Sequence, residues 1–156
     1  LKLSFNYPRI WSLAEDKRKI ETYTQLTIKG PRNTDDTYTS AFVLRAYPVK
    51  KNGGRFESAL QTKKNYTDHL YPDPKILSDT ATRVSNVEAL DVSAAYVAPK
   101  SFFKGFVSKA IPVQQRSLFF EKDEILYQVM YTADQREYPK YIEEFEHLLK
   151  SLRFNS

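Results

Sequence analysis

The chain contains no cysteine, which excludes disulfide bridges, thiolate metal centres and cysteine nucleophiles together. Glycine is scarce, at four residues in 156. A phosphate-cradling loop or a glycine-flanked nucleophilic serine needs glycine at fixed positions, and neither pattern occurs. Gly53 and Gly54 lack the following lysine and hydroxyl residue of such a loop and read as a turn ahead of a helix. Histidine, the side chain best suited to proton transfer near neutral pH, occurs only as His69 and His147. No window approaches the roughly 20 apolar residues that a membrane-spanning helix needs. The first residue is Leu1, not methionine, so the chain reads as a processed product whose signal or lipid-bearing segment, if present, would lie upstream.

What is present is aromatic and basic. Eleven tyrosines and ten phenylalanines stand in a chain that is 41% hydrophobic, a composition that favours sheet and argues against disorder. At 156 residues the chain suits one domain, residues 1–156, that buries roughly 70% of its unfolded surface. The net charge of +5 favours an anionic partner: an acidic protein face, a phospholipid surface or nucleic acid. The excess is scattered over Lys17 to Lys19, Lys50, Lys51, Arg55, Lys63 and Lys64, while Glu143, Glu144 and Glu146 make the last helix acidic. Such scatter mainly serves solubility. Without an RNA-binding signature or a continuous basic stripe, no nucleic-acid partner is expected.

The segment 125–154 changes hydrophobic period twice. Ile125, Tyr127, Val129 and Tyr131 alternate with Leu126, Gln128, Met130 and Thr132, the repeat of a pleated strand. After Pro139, the residues Tyr141, Ile142, Phe145, Leu148, Leu149 and Leu152 form one helical stripe that must cover a sheet. Upstream, alternation predicts a short strand over 3–7 ended at Pro8, with Trp11 as a core anchor, and a long hairpin with arms at 22–28 and 37–47 around a polar tip. In the second arm one face reads as the drier. Phe56, Ala59, Leu60, Lys63, Thr67 and Leu70 predict a helix over 55–70, stopped by the prolines at 72 and 74. Residues 76–87 are ambiguous. Strands follow at 89–98, 113–120 and 125–132, with a turn at 121–124. Runs of strands with few helices predict the α+β class: a central antiparallel β-sheet flanked by helices.

Two stretches carry a resemblance. FNYPRIW near the start, and YQVMYTADQREYPKYIEEFEHLLKSLRF at the end, resemble the PsbP-like family, whose members open on a strand ending in Tyr-Pro before tryptophan and close on a tyrosine-bearing strand, an acidic-aromatic helix and a short final strand. Ser151, Leu152, Arg153 and Phe154 fill that last slot, with leucine where phenylalanine is usual. The order of elements agrees over nearly the whole chain, although 50–109 matches in outline only. The resemblance implies an αβα sandwich and an exported bacterial or lipoprotein-type member on the periplasmic or thylakoid-lumen side. It also implies a non-enzymatic extrinsic role on a membrane-associated protein complex, best known at the lumenal face of photosystem II.

Each candidate site has a plain structural alternative. His69 beside Asp68, and His147 beside Glu146 and four residues after Glu143, read as exposed helical residues, with a surface metal ligand as the weaker reading. Asn33 and Asp35 alternate as calcium ligands do, but the central glycine and distal glutamate are missing, so 33–36 reads as a hairpin tip. No metal or cofactor is implied. The segment 98–112 is longer than a tight hairpin requires. There Lys100, Lys104 and Lys109 interleave with Phe102, Phe103 and Phe106, which suits docking on a membrane complex or anionic surface, or else a loop that buries its phenylalanines. A second function class is a small-molecule or metal-binding pocket between sheet and helix, with Tyr23, Tyr38, Tyr47 and Tyr127 offering hydroxyls. Oligomeric state is left open.

Overall fold

The computed structural model describes residues 1–15, 23–68, 72–98 and 110–155. Its chain order is β1 (Leu3–Ser4), β2 (Ser12–Glu15), β3 (Thr24–Arg32), β4 (Thr39–Pro48), α1 (Val49–Asn52), α2 (Arg55–Thr67), β5 (Lys75–Val84), β6 (Val87–Ala98), β7 (Ile111–Lys122), β8 (Ile125–Asp134), α3 (Tyr138–Ser151) and β9 (Arg153–Phe154). Seven strands form one sheet in the order β2-β3-β4-β8-β7-β6-β5, and every neighbouring pair is antiparallel. β1 and β9 pair separately through Leu3 with Phe154 and Ser4 with Arg153.

The carboxy-terminal stripe does what its period requires. Phe145, Leu148 and Leu152 are buried against Phe42, Leu44, Phe120, Val129 and Tyr131, which share one face of the sheet because alternate residues of a strand point the same way. α2 packs on the other face, where Ala59 meets Val92, Phe119 and Leu126, and Tyr66 meets Ala94, Tyr96 and Val113. The expected antiparallel sheet with helices on it is therefore present, but the sheet dominates and the helical cover is unequal.

Trp11 anchors the core as expected. It stacks on Phe42 at 4.4 Å and meets Tyr141 edge-on at 5.4 Å. Its indole lies over Gly30, where a Cβ would come within 2.7 Å of the ring; this glycine makes room for the tryptophan. Strand β3 runs on through Gly30 and Pro31 by means of a register shift between Lys29 and Arg32.

One stretch left open is settled and three expectations need correction. The ambiguous stretch is the edge strand β5, nine of whose ten residues are exposed, so neither face carried an apolar signal. It turns into β6 at Ser85 and Asn86, both with positive φ. The stripe expected on α2 is displaced: Ala59 and Tyr66 are buried, whereas Phe56 and Leu60 are 62% and 50% exposed. β4 has no dry and wet side over Ser40–Leu44, all buried, because a central strand is covered on both faces. The first strand is only Leu3–Ser4, and Ser12–Glu15 forms another.

Candidate functional site

Because α2 lies mainly over β5, β6 and β7 on its face, a cleft of about 510 Å³ opens along its flank. The floor is Gln115 and Ser117 of β7, Gln128 and Met130 of β8, and Arg45 and Tyr47 of β4; the wall is Ser58, Gln61, Thr62, Asn65 and Tyr66 of α2. These floor residues occupy the positions between the core residues of the opposite face, so the strands keep a two-residue repeat while presenting amides and hydroxyls here.

The polar groups hold one another in place. The Tyr66 hydroxyl donates to Gln115 Oε1, and Gln115 Nε2 donates to the Tyr96 hydroxyl at 3.0 Å and to Thr132 Oγ1 at 3.3 Å. Tyr38 and Thr132 share a 2.7 Å hydrogen bond. On the other side of the floor, Gln128 accepts from the Tyr47 hydroxyl and donates to Ser117 Oγ, both at 3.4 Å. Burial pushes the Tyr47 phenol above its ordinary pKa against the opposing pull of Arg45, so Tyr47 stays a neutral hydroxyl near pH 7. Both charges in the lining are engaged: Arg45 Nε donates to Gln25 Oε1 at 2.7 Å, and Glu57 Oε2 accepts the Gly54 amide at 3.0 Å.

The wall is fixed from the sheet. Glu121 of β7 accepts the Arg55 amide at the start of α2, satisfying one of the amide donors a helix leaves open there. Gly54 permits that approach, since a Cβ would stand 2.3 Å from Glu121 Oε1.

No protein-family model and no curated protein matches the chain, but solved structures do. A Pseudomonas aeruginosa protein of unknown function superposes with a TM-score of 0.66 at 10% identity, covering 94% of this chain and 98% of that one. LpqN, which is involved in cell envelope biogenesis of Mycobacterium tuberculosis, gives 0.59 at 13% identity over 99% and 83%. CyanoP, the cyanobacterial PsbP of Synechocystis, gives 0.61 at 9% identity over 98% and 86%. This is the PsbP-like fold.

Within that PsbP-like frame the sequence-derived residues fall unevenly. Lys100, Phe102, Phe103, Lys104, Phe106, Lys109 and His69 lie outside the described residues. The flanks of the segment expected to dock are described: Ala98 and Ile111 pack in one cluster with Tyr66. His147 is exposed on α3, and among the described residues no three His, Asp or Glu side chains are grouped to hold a metal. Of the four tyrosines, Tyr47 lines the cleft and Tyr23 leans on its ring at 5.1 Å. Tyr127 belongs to the opposite face, stacked on Phe120.

The hairpin tip has a structural task. Asn33 Oδ1 accepts the amides of Thr37 and Tyr38 at 2.7 and 3.0 Å, and its Nδ2 donates to Asp134 Oδ2 at 2.8 Å. Asp134 also accepts from the Arg136 amide and guanidinium. Burial alone would raise this carboxyl; the bonds from Arg136 and Asn33 outweigh burial and bring it to about 2. The tip is thereby fastened to the entry of α3. Sequence reasoning missed Gln115, Ser117 and Gln128, whose signal was a polar series on one face of strands that are otherwise apolar.

Proposed function

We propose that this chain is an exported, non-enzymatic accessory domain that docks on a membrane-associated protein complex, held to the membrane by an upstream anchor. The observation that supports this most is the fold shared over nearly the whole chain with CyanoP and with LpqN, the latter a protein of envelope biogenesis. Docking is assigned to the segment carrying Lys100, Phe102, Phe103, Lys104, Phe106 and Lys109. It connects β6 to β7, whose adjoining residues Ala98 and Ile111 pack in one cluster with Tyr66. Aromatic side chains there would supply contact area, and lysines would meet acidic side chains or phosphates. The test is co-purification with native membranes: replacing Phe102, Phe103 and Phe106 by serine abolishes it, and unchanged retention of that variant would remove the docking role.

A second reading is favoured by the cleft, a lining of neutral amides and hydroxyls with a capacity in the usual range for small ligands, about 300–1,000 Å³. Its occupant would be a hydroxyl- or amide-bearing molecule, since amides and hydroxyls make up most of the polar lining. A thermal-shift screen of sugars, polyols, metabolites and metals distinguishes the readings. Stabilisation by a hydroxyl- or amide-bearing compound, lost in Gln128→Leu, supports the cleft; no stabilisation by any of them counts against it.

A further inference from the structure

Across the sheet from the cleft, a second cavity of about 550 Å³ lies where the β5–β6 turn meets the end of α3. Its charged lining is Arg83 from β5, Arg116 from β7, Glu146 and Lys150 from α3, and Arg153 from β9. These groups are not equivalent. Arg116 is largely buried and bound to Asp91 at 2.7 Å and to Glu146, so this floor trio carries one net negative charge, which the three cations of the rim exceed. Arg83, Lys150 and Arg153 are exposed at the rim, and none of them forms an ion pair among the described residues.

Two rim guanidiniums are held by backbone. Arg83 Nη2 donates to the Asn86 carbonyl at 2.5 Å, and Arg153 Nη1 donates to the carbonyls of Lys150 and Leu152 at 2.9 and 2.7 Å. Each bond engages one nitrogen of a guanidinium that carries five N–H donors, which positions the group and leaves donors over. Leu118 and Leu149 form an apolar part of the wall, against which an electrostatic field is less screened than in open water.

We propose that this cavity binds a phosphate group. A carboxylate offers two oxygens, which one arginine fork satisfies. Three separate cations from three elements suit the three terminal oxygens of a phosphate monoester, and Lys and Arg are its usual partners. The phosphate could belong to a soluble phosphorylated molecule or to an anionic lipid headgroup, and the site is independent of both readings of function above.

The experiment is an amide-resolved NMR titration with inorganic phosphate at constant ionic strength, together with co-sedimentation on phosphatidylcholine vesicles with and without phosphatidic acid. Saturable shifts at Ser85, Asn86 and Arg153 are expected, and the double variant Lys150→Gln/Arg153→Gln weakens binding about tenfold or more. The distant pair Lys64→Gln/Lys75→Gln leaves it unchanged. Should the double variant melt early, Lys150→Gln alone carries the test, because that exposed lysine makes no ion pair within the described fold. Phosphate shifts that vanish in the variant indicate a soluble ligand. Binding only to phosphatidic acid vesicles, again lost in the variant, indicates a lipid headgroup. Either result supports the site, whereas no response in both arms, or a response indifferent to the variant, overturns it.

Discussion

Acid should unlock the hairpin tip before it disturbs the core. Asp134 has a fully buried side chain and accepts four hydrogen bonds, three from Arg136 and one from Asn33. Its carboxyl falls from an ordinary 3.8 to about 2. At about 1.4 kcal/mol per tenfold change in proton affinity, this gap stabilises the fold by about 2 kcal/mol. The sign follows from the direction. A depressed carboxyl contributes in full above the unfolded value of 3.8, loses its contribution as pH falls towards 2, and contributes nothing below. Urea unfolding of the wild type and of Asp134→Asn, compared between about pH 7 and about pH 2, isolates this site from the other carboxylates. The stability difference should be about 2 kcal/mol or more near neutrality and shrink towards zero at the acid end. A difference that stays flat with pH would show that the carboxylate is not preferentially ionised by its partners.

Other perturbations test the packing. Gly30→Ala places a methyl 2.7 Å from the Trp11 ring and should cost about 1–3 kcal/mol in chemical denaturation; an unchanged midpoint would mean the tryptophan is not seated there. Phe145→Ala empties the contact with Phe42 and Tyr131 and should cost about 3–5 kcal/mol, so a loss below about 1 kcal/mol would contradict the placement of α3. Tyr138 is pushed up to about 12 by burial. Its contribution is intact below the unfolded value near 10 and is lost as pH rises from there towards 12. Alkaline absorbance titration should therefore show this phenol ionising late, with the unfolding transition, and Tyr138→Phe should flatten the alkaline loss of stability.

The parts of the fold legible in the sequence are those in which one period dominates. Phe145, Leu148, Leu149 and Leu152 recur at helical spacing and are buried, and Tyr127, Val129 and Tyr131 recur at strand spacing on the core face, although β8 is largely buried on its other face as well. β5 escaped because an edge strand exposed along nearly its whole length needs no apolar face. The stripe on α2 was misread because a small residue, Ala59, and a tyrosine, Tyr66, make its contact, while Phe56 and Leu60 stay outside. The reason for Gly30 is not legible locally, because the Trp11 ring that fills its space arrives from elsewhere in the chain. The cleft was legible only as a pocket between sheet and helix. Arg45 and Gln128 are far apart in sequence and become register partners through the pairing of β4 with β8, Ser117 of β7 bonds to Gln128, and taken singly each looks like a solvated strand residue.

Hydrogen exchange of the protein alone and on detergent-solubilised membranes of its own cell would test the central claim, docking through the segment between β6 and β7, most directly. The account predicts slower exchange on the membrane fraction at the flanks of that segment, Val97, Ala98 and Ile111, and in the last turn of α2 around Tyr66, with β2 and β3 unaffected. Identical exchange with and without the membranes, or protection confined to β2 and β3, would contradict it.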